Sequence, residues 1–333
     1  MRRWGAGIVA LVLLGAAAAY WSWYDLHTPA ALPPGGAVVS VATGEPFRST
    51  AARLQTAGVI RHARLVSLWA RWHGLDHFVR SGDYRFDRPL SPLEVLAVLR
   101  SPTAALHRVT IPEGSTLHQV AEQLAAAGFG GPDQFLCLAN DPAFLARMDA
   151  PASGLEGYLF PDTYSFAWRT TPEQILTAMV ERFREQTGLL QARRLDTGMS
   201  GEQMVILGSV IEKEAGAANE RALVSAVFHN RLQIGMPLQS DPTAVYGRDA
   251  HGKPTAADLA VESPYNTYLH GGLPPGPICN PGRAALEAAL NPAPVPYLYF
   301  VSRNDGTHAF SRTLEEHNRA VTRFQHDAAR HVP

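Results

Sequence analysis

Cysteine is nearly absent from these 333 residues: there are two, Cys137 and Cys279, far apart in sequence. That is no disulfide framework, and no CxxC pair or HExxH helix is present to hold zinc. Both cysteines read as small buried hydrophobes, although an exported compartment would permit them to pair. The histidines are scattered without ligand spacing, so neither a metal nor a cofactor is expected. Charge is sparse as well. Asp, Glu, Lys and Arg make up 18% of the chain, the formal net charge is −1, and the basic residues form no block, which excludes electrostatic capture of nucleic acid. Apolar residues are plentiful instead, at 46%, enough for more than one packed core at this length.

The longest apolar run comes first. Arg2 and Arg3 precede an uncharged stretch from Trp4 to Tyr24, and about 20 residues is what a helix needs to cross a bilayer. Basic residues ahead of the run and none close behind predict residues 1–3 as a cytoplasmic tail, 4–24 as a transmembrane anchor and the remainder outside. The small residues Ala16 to Ala19 offer a cleaved signal peptide as the alternative. Tyr20, Trp21, Trp23 and Tyr24 suit a retained helix at a membrane surface better. Residues 25–36, with "HTPAALPPGG", read as a short stiff linker.

Folded material begins at "AVVSVATGEPFRSTAARLQTAGVI" (37–60), which is repeated in outline by "HRVTIPEGSTLHQVAEQLAAAGFG" (107–130). At an offset of 70 residues both give strand, glycine, helix, glycine, with Gly44 matching Gly114 and Gly58 matching Gly128;. The helix "ARLVSLWARWHG", the strand "GDYRF" and a helix opened by Ser91-Pro92 complete a small α+β module over 37–105. Residues 131–198 read as mostly helical around a loop, "GLEGYLFPDTYSF", whose aromatics and Asp162 are expected to pack.

The stretch "GSVIEKEAG" (208–216) sets charge into an oily helix. Ser200 and Gln203 form a capping box that starts the helix at Gly201. At about 100° per residue, Glu212 shares its face with Val205, Gly208, Ser209, Ala215 and Gly216. A carboxyl over such a small, uncharged face, with no cation on its own side, is expected to have a raised pKa and to suit general acid work. A wet helix end is the plain alternative. Glu214 points about 200° away on the same count; it cannot pair with Glu212 across one bond and reads as structural support. Downstream, "GMPLQSDPTAVYG" and "SPYNTYLHGGLPPGPICNPG" are Pro/Gly-rich loops of the kind that carry binding function. Tyr265 and Tyr268 offer flat faces, Asn266 and Asn280 amides, and Gln239 and Asp241 hydroxyl partners. That equipment suits a sugar cleft, and also a proline-stiffened structural loop. The chain ends as strand, turn, strand and helix in "YLYFVSRNDGTHAFSRTLEEHNRAV".

These segments, with "IEKEAG", "FHNRLQIGMPLQSDPT", "IPEGSTL" and "EGYLFPDTY", make the chain resemble the YceG-like family of endolytic murein transglycosylases over nearly its whole length. The resemblance implies an α+β protein with an N-terminal transmembrane helix, a small LysM-like module over 37–105 and a larger α+β catalytic domain over 106–333. It implies a single-pass protein of the bacterial inner membrane, with its catalytic domain in the periplasm, acting on peptidoglycan glycan strands beside the synthases of elongation or division. The first glutamate of the E-K-E motif, Glu212, would be catalytic. It would protonate the leaving oxygen of the MurNAc–GlcNAc β-1,4 bond, then take a proton from the MurNAc C6 hydroxyl as that oxygen closes a 1,6-anhydro ring. Gln239, Asp241, Tyr265, Asn266, Tyr268 and Asn280 are the candidate substrate-binding residues. Two other readings stay open: a muramidase that delivers water, with a base such as Asp241 or Glu262, and a membrane-tethered peptidoglycan-binding scaffold without catalysis.

Overall fold

The computed structural model describes residues 2–42, 44–101, 106–167, 170–248 and 254–326, except for the side chains of 2–12, 189, 191–197 and 326. The chain divides into two compact units, Met1–Arg108 with Ser165–Thr170, and Val109–Tyr164 with Thr171–Pro333. Helices and two-stranded sheets make up both, so the architecture is α+β.

The first unit runs α1 (Arg2–His27), β1 (Ala37–Val41), α2 (Phe47–Thr56), α3 (Ala63–Trp72), β2 (Gly82–Phe86) and α4 (Pro92–Arg100). β1 and β2 pair antiparallel, with Ala37 opposite Phe86 and Val41 opposite Gly82. Val39, Val41, Tyr84 and Phe86 from the sheet meet Phe47, Ala51, Leu54, Val66 and Leu99 from the helices in one core. Ser91 and Glu94 close a capping box at the start of α4.

The expected span over 4–24 falls within α1, but the side chains of its first half lie outside the described residues. Among the described residues no helix is long and apolar enough to cross a membrane. Within the stretch read as a short stiff linker, Leu26 and Ala30 are buried, Leu26 in the core of this unit. Asp25, also buried, lies 2.9 Å from His62 Nδ1 and 3.8 Å from Arg61, just ahead of α3. Pro and Gly restrict the backbone here, but they do not keep its apolar neighbours out of a core.

The chain continues, mostly in the larger unit, with β3 (His107–Thr110), α5 (Leu117–Ala126), α6 (Pro132–Ala139), α7 (Pro142–Arg147), β4 (Thr163–Phe166), α8 (Pro172–Thr197), α9 (Gly201–Glu214), α10 (Arg221–Gln233), α11 (Asp241–Ala244), α12 (Ala256–Leu259), α13 (Arg283–Leu290), β5 (Tyr299–Ser302), β6 (His308–Ser311) and α14 (Leu314–Val321). The repeat read from sequence is present in the backbone. β1 and β3, and α2 and α5, begin 70 residues apart, and Gly44 and Gly114 share a φ of 75°. "TYSF", read as loop, is β4, and Asp162 just before it pairs with Arg182 at 2.8 Å.

α9 is the axis of this unit. Every residue from Met204 to Ile211 is buried, because α13, α10, the 277–280 loop and α8 surround it; Val205, Leu207, Val210 and Ile211 share a core with Val224, Phe228, Leu286 and Ala289. Gly208 lets α13 come close, since a Cβ there would lie 3.0 Å from Leu286 Cδ2. The Ser209 hydroxyl donates to the Ile206 carbonyl at 2.7 Å and accepts from the Ile278 N–H at 3.0 Å. The small face of this helix is therefore a packing surface rather than an open cleft floor.

Candidate active site

The capping box of Ser200 and Gln203 starts α9 where the sequence places it;. Fourteen residues later the helix ends at Glu214, and Glu212 lies in its last turn. The Glu212 side chain is only 7% exposed, so it is not a wet helix end. Its Oε2 accepts the backbone N–H of Gly282 at 3.0 Å, at the N-cap of α13. Its Oε1 lies 3.3 Å from Nη2 of Arg221, the first residue of α10.

Arg221 supplies a cation that the helix's own face lacks. A helical wheel reports only the helix's own face, and this guanidinium arrives from the next helix. The second addition is Glu113, in the β3–α5 turn, whose Oε2 lies 3.8 Å from the same Arg221 nitrogen. The turn is fixed to the end of α9 and to the 277–282 loop. The Gly114 N–H donates to the Asn280 carbonyl at 2.9 Å, and Lys213 Nζ reaches the Gly114 carbonyl at 3.4 Å. At a φ of 75°, position 114 favours glycine;. Partial burial and the neighbouring Glu212 charge push the Glu113 carboxyl up, while Arg221 pulls it down.

Gly282 links the two acids. Its N–H holds Glu212, and a Cβ at this position would overlap the Glu113 carboxyl. Its φ of −73° is open to alanine, so Gly282→Ala tests side-chain placement rather than backbone strain. We expect turnover to fall about 10- to 100-fold through displacement of Glu113, with the melting temperature little changed. Wild-type turnover of the folded variant would show that Glu113 has no part in the site.

The chain matches the YceG-like family model over residues 39–323. It belongs to the YceG-like family. Curated relatives agree. An endolytic murein transglycosylase of Bacillus subtilis is 30% identical over 303 residues, covering 86% of this chain and 84% of the relative. One from Streptococcus pneumoniae is 29% identical over 316 residues, covering 85% of this chain and 57% of the relative. A crystal structure of a YceG-like protein from Listeria monocytogenes superposes with a TM-score of 0.63 at 33% identity, covering 86% of this chain and 99% of that one.

The other site residues of this YceG-like chain fall into separate surroundings. Glu214 belongs to a cluster apart from the Arg221 pair: its Oε1 accepts the Ser240 hydroxyl at 2.6 Å. Burial, opposed by that hydrogen bond, pushes its carboxyl up to about 7. Beside Ser240, Asp241 accepts the Tyr268 hydroxyl at 2.6 Å. Gln239, exposed and held at a φ of 50°, accepts from Arg231 at 3.3 Å. Arg231 is itself buried; it donates to the carbonyls of Leu298 at 2.6 Å and Leu238 at 2.9 Å. Tyr265 is half-buried against Tyr246, ring centroids 4.7 Å apart.

Asn266 and Asn280 are fully buried. Asn266 Nδ2 donates to the carbonyls of Leu259 and Val261, and its Oδ1 accepts from the Tyr268 N–H. Asn280 donates to the Ser115 carbonyl and to Glu156, and accepts the Leu159 N–H. Both amides are committed to protein groups. Glu262 is exposed and pairs with His270 at 2.8 Å. Cys279 is buried and free, and burial pushes its thiol up; Cys137 is free and exposed rather than buried.

Sequence reasoning overlooked Glu156. Both of its oxygens accept the Leu117 N–H at 3.0 Å, and it also takes the Tyr246 hydroxyl at 3.0 Å and Asn280 Nδ2 at 3.3 Å. Burial outweighs those bonds and pushes its carboxyl up to about 7.

Glu156 and Glu214 therefore make stability depend on pH. Each rises from an ordinary 4.5 to about 7 on folding. Between those values the folded state keeps protons that the unfolded chain has released, so stability falls as pH rises through the window. The slope reaches about 1.4 kcal/mol per pH unit for each group. Urea unfolding from pH 4.5 to 7.5 should show this loss, and Glu214→Gln, which stays neutral, should roughly halve the slope. The same slope in the variant would refute the assignment.

Proposed function

We propose that this chain is a peptidoglycan lytic transglycosylase in which Glu212 is first the general acid and then the base. The observation that carries the reading is a nearly buried carboxyl at the end of the central helix, hydrogen-bonded by the Gly282 N–H and Arg221, in a chain whose curated relatives are named endolytic murein transglycosylases. The Glu212 proton passes to the glycosidic oxygen as the C1–O bond of MurNAc breaks. The MurNAc C6 oxygen attacks C1 and its proton returns to Glu212. The nucleophile belongs to the sugar, so one carboxyl suffices, unlike ordinary glycosidases. Gln239, Asp241, Tyr265 and Tyr268 are the side chains proposed to meet the glycan, and Glu214 is support. Asn266 and Asn280 are proposed to act by shaping the loop that carries them.

The apolar stretch over 4–24 with Arg2 and Arg3 ahead of it supports a single-pass anchor with the N-terminus inside;. Cutting then takes place on the outer side, close to where synthases add strands. The β-α-α-β order of residues 37–86 supports the reading of 37–105 as a LysM-like module.

Glu113 favours a second reading, hydrolysis, because a neighbouring carboxylate could activate water;. Mass spectrometry of digested glycan separates the two. 1,6-Anhydro-MurNAc ends support the lytic route, and reducing MurNAc ends would replace it with hydrolysis.

A further inference from the structure

We propose that Glu113 and Arg221 are positioning residues for Glu212, with the single arginine shared in turn by the two carboxylates. This rests on the reading of Glu212 as the acid. An acid that later serves as base must be neutral before bond cleavage and charged after it. An arginine bound to Glu212 alone would favour the charged form throughout. Here the same nitrogen, Arg221 Nη2, lies 3.3 Å from Glu212 and 3.8 Å from Glu113, so a small shift changes its partner. Its Nε is buried and has no hydrogen-bond partner among the described residues. Arg221 is 17% exposed and Glu113 50%, against 7% for Glu212, which places Glu113 toward solvent and the acid on the inside.

The remaining charged groups nearby are engaged elsewhere. Lys213, on the same helix as Glu212, turns to the Gly114 carbonyl. Glu220, next to Arg221, accepts both the N–H and Nδ1 of His308, at 2.9 and 2.8 Å. From α13 the facing group is the Gly282 N–H, and from the loop before it the neutral Cys279 thiol. Glu113 is thus the group placed to draw Arg221 away.

In the cycle this implies, Arg221 rests on Glu113 while Glu212 carries its proton. That proton goes to the glycosidic oxygen, which keeps the electron pair of the breaking C1–O bond. Arg221 then closes on the new Glu212 carboxylate. The C6 oxygen bonds to C1, its proton returns to Glu212, and Arg221 goes back to Glu113. No net proton is taken up or released.

The test is kcat and KM from pH 4 to 9 for the full chain in detergent, on purified glycan strands. Glu113→Gln should lower kcat about 10- to 100-fold and move the alkaline limb of the profile down by about one pH unit, since Glu212 then meets the arginine alone. Arg221→Gln should move the same limb up. KM should change little in either, and products should keep anhydro ends. Should Glu113→Gln fail to fold, Glu113→Asp keeps the charge and should leave the limb in place while kcat falls. Loosened structure would lower activity alike at every pH. Limbs that stay put, or that shift in the same direction, overturn the proposal. Activity in Glu212→Gln sinks the acid assignment itself; an inactive Glu212→Gln with unmoved limbs sinks only the sharing of Arg221.

Discussion

Glu212→Gln is expected to reduce release of anhydro-terminated fragments by at least about a thousandfold. A positioned general acid contributes about 10²- to 10⁴-fold, and on the proposed route one group serves both proton transfers. The amide matches the carboxyl in size, and its oxygen can still accept from Arg221 or from the Gly282 N–H, which hold the native side chain at 3.3 and 3.0 Å. What it loses is the titrating proton. The check is a timed digest of purified glycan read by mass spectrometry, with melting curves of both proteins to show that the fold is kept. Substantial anhydro product from the folded variant would remove Glu212 from the chemistry.

Glu156→Ala is expected to be the most destabilising single change, at about 3–5 kcal/mol. The carboxyl gathers the Leu117 N–H at the first turn of α5, the Tyr246 hydroxyl and Asn280 Nδ2. Truncation leaves the Leu117 N–H and the Tyr246 hydroxyl without an acceptor and takes one of the two from Asn280 Nδ2, and each orphaned buried group costs about 1–3 kcal/mol. The damage reaches the active site by a short route. Asn280 also holds Ser115 and, through its carbonyl, Gly114, so the turn carrying Glu113 loosens as well. Urea unfolding should show the lower midpoint, and a loss below about 1 kcal/mol would mean that Glu156 is no hub. Glu156→Gln keeps one accepting oxygen but aims its NH2 at groups that are themselves donors, so it should recover only part of the stability.

Local chemistry was legible in the sequence; assembly was not. The capping box at Ser200 uses side chains three residues apart and appears where the pattern puts it, and the helix opened by Ser91-Pro92 starts there too. The repeat of strand, glycine and helix and the closing β5–β6–α14 run are also local, set by turn chemistry and periodicity. The site depends on distant partners. Lys213 meets the turn after Glu113 across 99 residues, and Arg221 reaches Glu212 from a different helix, so no helical wheel could bring them together. "IPEGSTL" and "EGYLF" were visible as motifs, but nothing in their spacing said that one glutamate would be half-exposed beside the acid and the other enclosed. Asn266 and Asn280 mislead for a related reason. An amide in a polar loop looks available for sugar hydroxyls, and only the folded backbone shows that its hydrogen bonds are already used.

The last turn of α1 has a mechanical consequence. Leu26 is a core residue and Asp25 is clasped by His62, so this helix cannot swivel against β1, α2 and α3 as a leash would. α1 and the elements packed on its last turn therefore move as one piece, and a truncation made at the Pro/Gly stretch would carry away part of that unit's own keel.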